Sequence, residues 1–168
     1  MRELMPDAAG VRDHSSKPRR GRTALVSACL IGMRTRYDGT DAADPSVLRL
    51  ADTIELVPIC PEIMGGLPTP RTPSSISTGD GHSVLDGRSR VVAADGRDVT
   101  DAYLAGAGRV LAEVKRLIAS GRAPEAAYLK DRSPACGGLC IKRDGRNVPG
   151  QGVCAAALAR AGVKIVAV

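Results

Sequence analysis

Apolar residues fall along this chain in short blocks separated by strong turn signals. Thr23–Ala28 (TALVSA) is a compact apolar run and predicts a buried strand. Asp44-Pro45 supplies an N-cap and a proline at the first helical position, opening a short helix through Leu48 and Ala51. Ile54–Ile59 (IELVPI) predicts a second strand, in which Pro58 removes one ladder donor. Residues 60–82 read as a long loop rich in Gly, Pro, Ser and Thr, of the kind that usually carries function. Residues 83–97 alternate weakly around Asp86-Gly87 and Asp95-Gly96, which predicts a small hairpin.

The clearest helix follows, capped by Asp98 or Thr100. Leu104, Ala107, Val110, Leu111, Val114, Leu117 and Ile118 recur at i, i+3, i+4 spacing, and Gly121 ends the pattern. Ala126–Lys130 predicts a third strand, followed by a loop over 131–151. A helix from about Val153 to Ala161 stops at Gly162, and Lys164–Val168 predicts a fourth strand. Strands alternating with helices imply an α/β fold. The expected sheet has about four mostly parallel strands, right-handed crossovers and flanking helices. The expected organisation is a single domain over 23–168 behind a disordered tail over 1–22.

Composition sharpens this picture in three ways. The 168 residues include no Phe or Trp and three Tyr, so the core is built from Ala, Val, Leu and Ile. The same shortage disfavours a nucleic-acid reader that stacks bases on aromatic rings. The net charge is +6, and residues 1–22 hold half of it through Arg2, Arg12, Lys17, Arg19, Arg20 and Arg22. No apolar run is long enough for a signal peptide or a membrane span, so a cytoplasmic location is expected. There, the five cysteines favour metal binding, catalysis or burial over disulfides.

Three cysteines stand where three predicted strands run out: Cys29 in VSACLIG, Cys60 in PICPE and Cys136 in DRSPACGG. Strand ends on one edge of an open α/β sheet converge. Thiolates from there can hold a metal or an iron–sulfur cluster and leave one coordination position open. Cys29 follows its strand directly, near backbone N–H groups able to lower its pKa. A phosphatase-type loop does not fit, because Arg34 lies one residue too near Cys29 and Arg36 one too far. Glu62, two residues after Cys60, suits a general base beside a metal. Gly65-Gly66 and the prolines after it shape a stiff, closely approached loop. Ser133 offers a hydroxyl next to Cys136, and Lys130 and Arg132 bring positive charge. Cys140 makes a CxxxC pair with Cys136 and is a candidate fourth ligand that would close a cluster. Cys154 reads as helix packing. His14 falls in the tail and His82 in a polar, exposed loop, which disfavours a His-rich zinc site.

The segments VSACLIGMRTRYDG, CPEIMGGLPTPRTP, DGRDVTDAYLAGA, LKDRSPACGG and GQGV occur in the order that resembles the TudS-like 2-thiouracil desulfidases. The likeness spans roughly residues 23–168. It implies a Rossmann-like α/β fold and a [4Fe-4S] cluster held by Cys29, Cys60 and Cys136, with catalytic roles for Glu62 and Ser133. It also implies non-redox removal of sulfur from a thiolated pyrimidine such as 2-thiouracil or a related thioamide. Glu62 would activate water and Ser133 would hydrogen-bond the substrate, with sulfide released or passed to an acceptor. The chain departs from the family pattern at Ser75, where an acid is expected, and at Cys140 and Cys154. Two other readings stay open on the residues alone. One is a closed-cluster binding or electron-transfer module; the other is a cluster-free cysteine enzyme of sulfur transfer.

Overall fold

The computed structural model describes residues 21–168, so residues 1–20 of the expected 1–22 tail lie outside the described residues. Arg22 belongs to the folded part: its guanidinium pairs with Glu125 and its carbonyl accepts from Glu55 N–H.

A parallel sheet forms the centre. Its strands are β1 (Thr23–Ser27), β2 (Glu55–Ile59), β5 (Pro124–Leu129) and β8 (Ile165–Ala167), in the order β2-β1-β5-β8. The mixed α/β architecture with four parallel strands is the one the apolar blocks predicted. Pro58 is tolerated because β2 is an edge strand. The β1–β2 connection runs to one side of β1 and β5 lies on the other. The strand order therefore reverses beside β1, and loops diverge there to leave a crevice.

Residues alternate between two faces of the sheet. Leu25, Ile59, Ala127 and Leu129 face the larger core, against α4 (Thr100–Ala119) and α5 (Val153–Arg160). Val26, Leu56, Tyr128 and Val168 face a smaller cluster with Leu30 and Val47, the latter from α1 (Pro45–Leu50). Asp44 caps α1 by accepting from the N–H groups of Ser46 and Val47.

The long loops differ from expectation. The 60–82 segment contains α2 (Pro61–Met64), β3 (Ser74–Ile76) and the start of α3 (Gly81–Leu85). β4 (Val91–Ala93) pairs antiparallel with β3, a segment read as loop, while the expected hairpin is confined to the Asp95-Gly96 turn, where Val92 bridges Asp98 and Ala93 N–H donates to the Arg97 carbonyl. Three-residue strands are too short to show alternation, and their partner is set by tertiary contact. His82 lies in α3 and is half-buried, bonded to Gln151 and Arg160, rather than exposed in a loop. The 131–151 segment likewise folds into a hairpin of β6 (Cys140–Arg143) and β7 (Arg146–Pro149) around Asp144-Gly145.

Two glycines set how α2 sits. A Cβ on Gly106 of α4 would fall 1.9 Å from the Pro61 carbonyl oxygen, and one on Gly65 would fall 2.0 Å from that of Ala102. Both positions require glycine, because two backbones touch there.

Candidate active site

Cys29, Cys60 and Cys136 line one cavity of about 390 Å³ at the carboxyl ends of β1, β2 and β5. Each arrives by a different local device. After β1 the chain turns at once into a short 3-10 segment, Ala28–Ile31, closed by Gly32 in the left-handed region (φ 89°). Cys60 occupies the N-cap position of α2, with Pro61 at the first helical position. Cys136 sits in a tight turn organised by Ser133, whose Oγ accepts from the N–H of Ala135 (3.1 Å) and of Cys136 (3.0 Å). A hydroxyl oxygen has two lone pairs. With both engaged, Ser133 has only its proton left to offer, so it faces the cavity as a donor.

Cys29 and Cys136 are buried and Cys60 is half-buried. Burial, together with the neighbouring Cys60, pushes the Cys29 thiol up. Lys130, Arg36 and a backbone hydrogen bond at Cys29 pull the other way, the last as the sequence suggested, but burial outweighs them. Burial pushes Cys136 far above the ordinary thiol value, with Cys154, Cys60 and Cys29 adding to the effect and the Ser27 hydroxyl opposing it. All five cysteines are free thiols.

Glu62 is the first-turn acid of α2 and also lines the cavity. Its carboxylate accepts from Arg71 Nε; the two side chains are 13 % and 7 % exposed. Tyr103, buried on α4, lines the same cavity as Glu62 and Ser74. Burial raises the Tyr103 phenol well above its ordinary value and the Glu62 charge adds to this, so Tyr103 stays protonated.

Cys140 turns elsewhere. It does not line the cavity, and its Sγ lies 3.2 Å from Asp131 Oδ2. Asp131 Oδ1 accepts from the N–H of Gly138, Leu139 and Cys140. Burial would raise this carboxyl, but these amides and the Cys140 thiol outweigh it and hold its pKa down. Cys154 is buried in α5 behind the cavity wall, packed in the larger core. Burial, with the Cys60 charge second, takes its thiol to about 12.

The sequence singled out the three cysteines, Glu62 and Ser133, and all five line the same cavity. It assigned no role to Ser27, Arg71 or Tyr103. Arg71 lay inside a quoted motif. Tyr103 precedes Ala107 and Val110 by four and seven residues, a helical spacing that marks it as inward-facing. The lining carries five cations (Arg36, Arg71, Lys130, Arg132, Lys142) against two carboxylates (Glu62, Asp131), a balance suited to an anionic occupant.

The donor set fits a cluster better than a lone ion. Among the described residues, no three ligating side chains stand close enough to hold one metal ion. An iron–sulfur cluster takes its thiolates on separate irons, and three thiols around one cavity, two buried and one half-buried, suit that demand.

An α/β sheet with a thiol-lined, carboxylate-bearing crevice at its switch point is an arrangement suited to soft-atom chemistry. Within that chemistry the assignment is specific. The family model for 2-thiouracil desulfurase matches residues 24–168, and the chain belongs to that family. It is 41% identical over 145 residues to the uncharacterized protein YbbK of Bacillus subtilis (strain 168), covering 84% of this chain and 93% of YbbK. Its fold matches the solved structure of the [4Fe-4S]-dependent thiouracil desulfidase TudS with a TM-score of 0.68 and 32% identity. That match covers 87% of this chain and 90% of the TudS chain.

Proposed function

We propose that the protein is a [4Fe-4S]-dependent desulfidase that converts the thiocarbonyl of a thiolated pyrimidine into a carbonyl. The observation that carries this reading is the gathering of three thiols, a carboxylate and a hydroxyl donor on one cavity, in a chain of the thiouracil desulfurase family. Cys29, Cys60 and Cys136 would hold the cluster, which supplies a soft Lewis acid matched to a thiocarbonyl sulfur. Glu62 takes a proton from water as the water oxygen adds to the carbon. General-base help of this kind is worth roughly 10²–10⁴-fold. Ser133 donates its free proton to the pyrimidine ring and fixes its orientation. The remaining hydroxyl proton passes to the departing sulfur, the C–S bond breaks, the carbonyl forms and sulfur leaves as hydrosulfide, to solvent or to an acceptor; no electrons change hands.

Lys130 and Arg132 balance the negative charge gathered in the crevice. Five free thiols suit a reducing compartment such as the cytosol. No helix among the described residues is long and apolar enough to cross a membrane.

The test is anaerobic loading, iron and sulfide counts, and turnover of 2-thiouracil. Glu62→Gln is expected to keep the iron and lose most of the turnover, and Cys60→Ala to lose both. Cys140→Ala is expected to keep both, because Cys140 bonds Asp131 instead of lining the cavity. Undiminished turnover in Cys60→Ala, or an iron-free active protein, rejects the proposal.

A further inference from the structure

Arg71 is almost entirely enclosed, at 7 % side-chain exposure, yet it touches three separate stretches of chain. Its Nε donates to Glu62, its Nη1 to the Pro68 carbonyl (3.2 Å) and the Thr69 hydroxyl (3.1 Å), and its Nη2 to the Thr35 carbonyl (3.0 Å). Its backbone N–H donates to the Tyr37 carbonyl at 2.7 Å. The Thr35 carbonyl also lies 3.8 Å from Cys60 Sγ. One guanidinium thus joins the loop that follows Cys29 to the turn that carries Cys60 and Glu62.

Four of its five N–H groups are engaged within the protein. Little donor capacity is left for a substrate. A planar fork can bond in several fixed directions at once, which a lysine ammonium cannot reproduce. Tyr103 of α4 lines the cavity beside the same carboxylate. A lone glutamate on a two-turn-or-shorter helix has several rotamers; this one is held by the guanidinium of Arg71.

We propose that Arg71 is a positioning residue that acts through Glu62. It holds the carboxylate in one orientation and ties it to the Thr35–Tyr37 loop beside Cys29. This inference rests on the desulfidase reading for its catalytic consequence, while the Arg71–Glu62 clamp itself is a matter of structure. Displacing a general base by about 1 Å costs on the order of 10²-fold in rate, so removing the clamp lowers kcat and leaves KM about unchanged.

The experiment uses full-length, anaerobically loaded Arg71→Ala, Arg71→Lys, Glu62→Gln and the Arg71→Ala/Glu62→Gln double variant. Iron content, kcat and KM for 2-thiouracil, and melting temperature are measured for each. Arg71→Ala is expected to keep its iron and lose roughly 10²-fold in kcat, with part restored by added guanidinium ion. Arg71→Lys falls between it and the parent. In the Glu62→Gln background the Arg71 change lowers turnover no further, and the two melting shifts do not add.

An Arg71→Ala protein with parental kcat overturns the inference. So does a rise in KM at unchanged kcat, which would make Arg71 a substrate contact. Loss of iron in step with activity in both Arg71 variants, or additive melting shifts, assigns it a purely structural role. Loaded wild-type protein that leaves 2-thiouracil intact defeats the desulfidase reading instead; the melting shifts then still decide whether Arg71 and Glu62 act as a unit.

Discussion

Gly106 and Gly108 lie two residues apart on α4, and exchanging each for alanine should move the protein in opposite directions. Gly108 is exposed, and a Cβ there meets nothing within 4 Å. Relieving glycine's entropy in a helix interior should raise stability by about 0.5–1 kcal/mol. Gly106 gains the same helical preference, but its Cβ would fall 1.9 Å from the Pro61 carbonyl oxygen and 3.2 Å from Gly65 N. Carbon–oxygen contacts settle near ~3.3 Å, so α2 must withdraw from α4 by more than about 1 Å. Forced overpacking of this kind costs about 1–3 kcal/mol. The steric cost exceeds the propensity gain, and Gly106→Ala should lose about 1–2 kcal/mol. The shift also carries Cys60, the N-cap of α2, and Glu62 in its first turn. Urea denaturation of both variants, with iron content and 2-thiouracil turnover, provides the assay. In a chain of this size a change of 1 kcal/mol moves Tm by about 2–4 °C. Gly106→Ala should unfold earlier and turn over more slowly, and Gly108→Ala should unfold later at parental activity. Equal shifts in the two variants, or a fully active and stable Gly106→Ala protein, would falsify the claim that the α2–α4 backbone contact positions the site.

Two further outcomes follow from individual groups. The Cys154 thiol titrates near 12 in the folded protein because it is buried, against about 8.5 in an unfolded chain. Its folded pKa is raised, so its contribution to stability is fully present below about pH 9 and is lost as pH climbs towards 12. Cys154→Ala should flatten that alkaline decline in denaturant melts under reducing conditions, and an unchanged slope would show that another group carries it. Ser133→Ala strips the Ala135 and Cys136 amides of their acceptor, at about 1–3 kcal/mol for a buried donor left unpaired. The variant should melt several degrees lower and release iron faster to a chelator. An unaltered Tm would place the Ser133 oxygen outside the support of the Cys136 turn.

Much of this molecule was legible in one dimension. TALVSA and AAYLK are apolar runs with turn signals at their ends, and β1 and β5 formed there within one to two residues. The long helix was readable from its 3.6-residue stripe and the glycine past its end. Once those strands align in parallel, their carboxyl ends share an edge, so the turns that carry Cys29, Cys60 and Cys136 were expected on one side of the sheet. Glu62 and Ser133 came along because they are covalently close to Cys60 and Cys136.

The three-dimensional contacts settled what sequence separation hides. β3 pairs with β4 across a segment that read as loop, because strands of three residues draw their partners from packing and not from their own pattern. Cys140 lay four residues from Cys136, yet the β6–β7 hairpin turns its sulfur to Asp131. Arg71 reaches Glu62 and Thr35 only because the 68–71 segment folds back on α2 and on the loop after Cys29. Local patterning determines which residues stand at strand ends, since backbone periodicity is a short-range property. Side-chain direction and burial depend on groups far along the chain, so which cysteines enter the cavity, and what holds its carboxylate, exist only in the folded structure.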